Sequence, residues 1–120
     1  MSIGNQTMAH YLAELYTPKQ AWLDLSEAER QQFFARVGSA MPALSALGVE
    51  ALSLGKVDQS KLHASKHAFF AVWRCPDDAA LEALVSGIAQ SGWHDYFDTI
   101  NAGGEGTDFM GHLVQLGQAA

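Results

Sequence analysis

The densest run of chemistry-bearing side chains is Trp93, His94, Asp95, Tyr96, Phe97 and Asp98. Read as a helix over residues 93–100, this run sets His94 and Asp98 one turn apart. A carboxylate at that spacing raises the basicity of an imidazole and fixes its tautomer, the makeup of a general acid–base pair. The same spacing also describes a solvated surface pair. Trp93 and Phe97 fall on a neighbouring stripe and are expected inward. Tyr96 can offer its hydroxyl to a phenolic or carbonyl oxygen.

A second group lies near the start of the chain. His10 and Glu14 fall on one face of a strand, roughly 13 Å apart at the strand rise. They cannot touch each other, but each can touch one ligand. His10 is a natural base near neutral pH or a structural histidine. Glu14 suits a ligand contact or a polar contact across a dimer interface. In the run around Trp73, His67, Phe69, Ala71 and Trp73 share one face, and Ala68, Phe70, Val72 and Arg74 share the other. The first set is expected to face a cavity, with Trp73 as an aromatic wall. Phe70 and Val72 are then expected beneath the helices, and Arg74 in an ion pair. His63 and His67 are four apart but straddle a loop and a strand, without a third ligand at a recognisable spacing, so no metal site is expected. Cys75 followed by Pro76 reads as a strand end.

These side chains depend on a short series of elements. Residues 8–17 read as a strand that Pro18 stops. Residues 19–25 form a helical turn anchored by Trp22 and Leu23. Ser26 with Glu29 is a capping box. The helix it opens carries Phe33, Phe34, Val37, Met41, Leu44 and Leu47 on one stripe. Pro42 is expected to kink this helix and Gly48 to end it. Residues 49–57 read as a second strand, 58–66 as a polar loop and 68–74 as a third strand. Asp77 or Asp78 caps a helix with Leu81, Leu84, Val85 and Ile88 inward. Gly92 separates it from the helix at 93–100. Residues 101–108, with Gly103, Gly104 and Gly106, read as a mobile lid or connection, and 109–116 as the fourth strand.

The order β-α-β-β-α-β is the ferredoxin-like arrangement: a four-stranded antiparallel sheet with both helices on one face. The chain of 120 residues makes one domain, expected over 8–117 between a disordered leader (1–7) and a short tail (118–120). Its formal net charge is −6 and its basic residues are scattered, which argues against a nucleic-acid partner. No apolar run approaches the ~18 residues of a membrane span. One cysteine allows no internal disulfide, which fits a cytoplasmic protein.

Over residues 8–116 the chain resembles the dimeric α/β-barrel superfamily, most of all its small uncharacterised bacterial proteins. It is similar in layout to antibiotic-biosynthesis monooxygenases, muconolactone isomerases and EthD-like proteins. The resemblance rests on the element order, the first strand running into Pro18, the apolar AFFAVWR strand and a helix ending in SGWHDYF. It implies a homodimer whose sheets pack face to face, each subunit supplying half a barrel. It also implies a pocket between the open sheet face and the helices or loops. Members include cofactor-free oxygenases, isomerases, cyclases, haem enzymes and proteins with no known activity. Haem-degrading members place an Asn on the first strand, a Trp on the third and a His on the second helix. Here His10, Trp73 and His94 stand in loosely similar places, but the Asn is absent and His94 is too far along from Trp73. A haem role therefore ranks last.

The expectation is a small-molecule pocket protein for an apolar or aromatic ligand. It is either a cofactor-independent enzyme of monooxygenase, isomerase or cyclase type acting on an aromatic or polyketide-like compound, or a non-catalytic ligand-binding or structural dimer module. The expected catalytic residues are His10, His94 and Asp98. The expected ligand contacts are Glu14, His67, Phe69, Trp73, Trp93 and Tyr96. Neither metal nor cofactor is expected.

Overall fold

The computed structural model describes residues 8–120, so the expected leader at 1–7 lies outside the described residues. The elements run β1 (His10–Pro18), α1 (Gln20–Leu23), α2 (Glu27–Ala46), β2 (Glu50–Lys56), β3 (Phe69–Cys75), α3 (Asp78–Gln90), α4 (Trp93–Tyr96), β4 (Phe97–Glu105) and α5 (Phe109–Gly117). The strands form one sheet in the order β2-β3-β1-β4, every neighbour antiparallel. This is the expected ferredoxin-like sheet with flanking helices.

Strand β1 is one of the two central strands, and its burial alternates. Leu12 and Glu14 are buried while Tyr11 and Ala13 are exposed. It pairs with β3 from His10↔Cys75 to Tyr16↔Phe69, and with β4 from His10↔Glu105 to Pro18↔Phe97. Leu12, Ala71, Trp73 and Cys75 on one face of the sheet pack with Leu81 and Leu84 of α3, and Met41 and Leu44 of α2 close over them. Leu12 and Leu84 are almost fully buried, each contributing about 1.5–3 kcal/mol. At one end of this layer Trp22, Phe33 and Phe97 form an aromatic cluster joined by Tyr16, Trp93 and Tyr96.

The helix starts follow the sequence. Ser26 Oγ accepts the Glu29 N–H at 3.1 Å while Glu29 Oε1 accepts the Ser26 N–H at 2.9 Å. Asp77 accepts the Ala80 N–H at 2.8 Å and caps α3. Helix α2 runs through Pro42 to Ala46, and Gly48 follows it at φ +86. A side chain at Gly48 would also meet the Pro76 ring, 2.9 Å from an added Cβ.

Three expectations are corrected here. The helix expected over 93–100 ends at Tyr96. The fourth strand is Phe97–Glu105, across the end of the segment read as a helix and the start of the one read as a loop. Residues 109–116, read as a strand, lie in helix α5, with Asp108 accepting the Gly111 N–H at 2.7 Å as its cap. The β4 backbone pairs with β1 along nine residues, and that pairing outweighs the loop tendency of Asn101, Gly103 and Gly104. Gly103 packs closely there, since an added Cβ would stand 3.3 Å from Leu12 Cδ1 and 3.6 Å from Leu81 Cδ2. A fourth correction concerns the faces of β3. Trp73 and Ala71 lie under the helices, so Phe70 and Val72 lie on the opposite, open face beside Ala13 and Leu15.

Candidate functional site

The helix-covered face of the sheet does not close fully on the helices. Between it and α2 and α3 lies a cavity of about 270 Å³. Its floor is Glu14 and Tyr16 of β1 with Ala71 and Trp73 of β3. Its walls are Val37, Met41 and Leu44 of α2, Leu84, Gly87 and Ile88 of α3, Leu54 of β2, and Trp93. All of these helix residues except Gly87 belong to the inward stripes that spacing had indicated, so the pattern that builds the core also shapes much of the cavity. Leu54, on edge strand β2, is the most exposed of the large apolar lining residues at 55%.

One ionisable acid stands in this apolar lining. Glu14 is only 3% exposed. Trp73 Nε1 donates to its Oε1 at 2.6 Å. The register explains the contact: Leu12 opposes Trp73 and Glu14 opposes Ala71, so Glu14 and Trp73 are diagonal neighbours on one face. Among the described residues Oε2 has no hydrogen-bond partner, and the ion pairs present, Lys61–Asp58 and Arg74–Glu50, leave Glu14 without a cation. Burial pushes the Glu14 carboxyl above the usual carboxylate range, and the Trp73 N–H only partly opposes this. Burial, and then the charge of Glu14, also raise the Tyr16 phenol. Ser91 is already engaged, its Oγ donating to the Ile88 carbonyl at 2.6 Å. Trp93 Nε1 is buried without a partner. Such an arrangement can hold an apolar molecule and present one carboxyl to it, as a hydrogen-bond group or a proton donor and acceptor.

Of the residues singled out from sequence, Glu14, Trp73 and Trp93 meet in this cavity. The others lie elsewhere. Phe69 stacks on Tyr16 with ring centroids 6.0 Å apart and is not itself a lining residue. His67 Nδ1 pairs with Thr17 Oγ1 at 2.9 Å. Tyr96 packs against Phe33 and Trp22 in the aromatic cluster. His10 sits at the far end of β1, its Nδ1 buried and unpartnered. His94 is exposed on α4 and Asp98 exposed on β4. With the helix ended at Tyr96, these two are not helical neighbours, and no hydrogen bond joins them. Arg74 pairs with Glu50 at 3.4 Å, as expected of it. The cavity lies on the helix side of the sheet, not against the open face that the resemblance implied. Tyr16 and Gly87 are lining residues that spacing did not single out. The face shared by His10, Leu12, Glu14 and Tyr16 was the available signal for the first.

The sequence as a whole places the chain among its relatives. It belongs to a family of unknown function, DUF6616, whose model matches residues 9–119. No curated protein matches it. Among solved structures it is similar to methylated RPA0582 protein, with 14% identity, a TM-score of 0.59, and coverage of 88% of this chain and 87% of that one. It is likewise similar to RPA0582, a protein of unknown function from Rhodopseudomonas palustris, at 13% identity and a TM-score of 0.58 over 88% of each chain. A VAO-type flavoprotein from Myceliophthora thermophila is also similar, at 16% identity and a TM-score of 0.51. There 91% of this chain matches only 20% of the flavoprotein. At these identities the likeness is one of fold, and the expected likeness to small uncharacterised bacterial proteins holds at that level. Among the described residues no helix is long and apolar enough to cross a membrane, and no group of three or more His, Cys, Asp and Glu is placed to hold a metal ion.

Proposed function

We propose that this family member is a small-ligand-binding module that acts as a homodimer. The observation that carries the reading is the apolar cavity of about 270 Å³ with the buried Glu14 carboxyl in its floor. A cavity of roughly 150 Å³ already holds benzene, so there is room for one ring with a short substituent. Amide chemical-shift mapping with toluene and indole tests it. Saturable shifts centred on Tyr16, Ala71, Leu84 and Ile88 are expected. Shifts that do not saturate, or that centre elsewhere, overturn it.

The dimer rests on the second face of the sheet. Tyr11, Leu15, Phe70, Val72 and Ile100 share it by register, and Tyr11 and Ile100 are exposed. A surface of this kind is characteristically covered by another chain. Sedimentation equilibrium at micromolar concentration is expected to give a dimer, and a monomer contradicts it.

A catalytic reading is favoured by one observation, the raised Glu14 carboxyl beside an apolar cavity. In it Glu14 moves the proton in a cofactor-independent reaction. His10, His94 and Asp98 lie outside the cavity lining, and their catalytic role is proposed only for a dimer in which a second copy brings them to the ligand. Turnover surviving Glu14→Gln would remove this reading.

A further inference from the structure

We propose that the cavity is built for a lipophilic amine, its apolar body against Met41, Leu44, Leu84 and Ile88 and its nitrogen at the Glu14 carboxyl. This rests on the cavity being a ligand site. The inference starts from what Glu14 lacks. Its carboxyl is buried, one oxygen is engaged by Trp73, and the other has no partner among the described residues. A carboxyl buried in apolar surroundings calls for a cation or a proton, and the lining residues include no Lys, Arg or His. The complementary charge is therefore left to the ligand.

The aromatic rings around the acid point the same way. Tyr16, Trp73 and Trp93 all line the cavity, and the Tyr16 and Trp93 rings meet edge to face at 5.1 Å. Ring faces attract an ammonium group. A ligand carboxylate or phosphate would instead bring a second anion beside Glu14 with no cation to offset it. Of the two lining hydroxyls, Ser91 is committed to the Ile88 carbonyl, and the Tyr16 hydroxyl and unpartnered Trp93 N–H are neutral donors that bring no positive charge to an anion.

The proton accounting closes within the site. Burial pushes the Glu14 carboxyl above the ordinary carboxylate range. The charges balance from either starting state: a free-base amine takes the proton of a protonated carboxyl, and an ammonium pairs directly with a carboxylate. The only other titratable group in the lining is the Tyr16 phenol, which burial and the Glu14 charge keep protonated.

Three compounds on one skeleton test this: 2-phenylethylamine, 2-phenylethanol and ethylbenzene, titrated by calorimetry and by amide shifts. The amine is expected to bind about ten-fold or more tightly than the alcohol or hydrocarbon. Glu14→Gln keeps an oxygen for the Trp73 N–H and removes the acid. It is expected to bring the amine down to the affinity of the alcohol and to leave ethylbenzene within about two-fold. If the alcohol or the hydrocarbon binds the natural protein as tightly as the amine, the amine assignment is overturned and the cavity reading stands. If none of the three binds, both fall. The comparison on the natural protein decides the matter even if the Gln variant does not fold.

Discussion

The indole of Trp73 and the carboxyl of Glu14 are joined at 2.6 Å across the two central strands, with both side chains under the helices. This single contact fixes the rotamer of a buried acid and orients one aromatic wall of the cavity. It also makes the two residues interdependent, because a buried carboxyl that loses its donor keeps its desolvation cost.

A double-mutant cycle measures that dependence. Trp73→Phe is expected to cost about 1–3 kcal/mol from the stranded carboxyl, beyond a smaller packing loss. Adding Glu14→Leu is expected to restore part of the loss, since the unpaired acid then disappears. Urea unfolding reads both steps. A double variant no more stable than Trp73→Phe alone would show that the acid is not stranded.

The pH dependence runs opposite to that of a salt-bridged carboxylate. The folded Glu14 carboxyl lies above its ordinary value of 4.5. The folded state therefore holds the proton longer than the unfolded chain does. Its contribution to stability is fully present below the ordinary value and is lost as pH rises through the folded one. Glu29 and Asp58, held below their ordinary values by hydrogen bonds to Ser26 and Ser60, act in the reverse sense as pH falls. Melting temperatures of the natural protein minus those of Glu14→Gln are expected to decline with rising pH, starting near the ordinary value. A flat difference curve contradicts the assignment.

Gly87 offers a way to fill the cavity from the helix side. It lines the cavity, lies inside α3, and a Cβ built on it meets nothing within 4 Å. Gly87→Ala is expected to stabilise the protein by about 0.5–1 kcal/mol through helix propensity. Gly87→Leu is expected to fold and to abolish binding of toluene and indole. Undiminished binding to a folded Leu variant would place the ligand elsewhere.

The open face is tested by Val72→Asp. Val72 opposes Ala13 in the centre of that face, away from the helix-side core. Burying an unpaired charge between two sheets costs several kcal/mol, whereas a half-exposed site on a monomer tolerates it. The variant is expected to sediment as a folded monomer. A dimer of unchanged strength would mean that this face is not the interface.

Much of the framework was legible in local pattern. The Ser26–Glu29 capping box, the Asp77 cap and the stripes of α2 and α3 all involve residues close in sequence, and they formed as read except that Phe34 and Leu47 of the α2 stripe are exposed. The C-terminal third was not. Phe97–Glu105 carries Asn101, Gly103 and Gly104, which locally favour a turn, and only pairing with β1 makes it a strand. For α5 a signal did exist. Asp108 is a cap residue, and Phe109, Leu113 and Leu116 recur at helical spacing. The same apolar residues read equally well as a short strand.

The amino-acid order by itself determined the β-α-β-β-α run up to α3, most of the two inward helix stripes and a face of β1 carrying His10, Leu12, Glu14 and Tyr16. These follow from periodicity and capping, which act over a few residues. Tertiary structure alone decided which face of β3 the helices cover, because both faces are apolar and periodicity cannot rank them. With that choice came the rest of the site: Glu14 met Trp73 through strand register, while His94 and Asp98 were parted by the start of a strand. Register and layer packing join residues far apart in the chain, so the cavity and its single acid exist only in the folded protein.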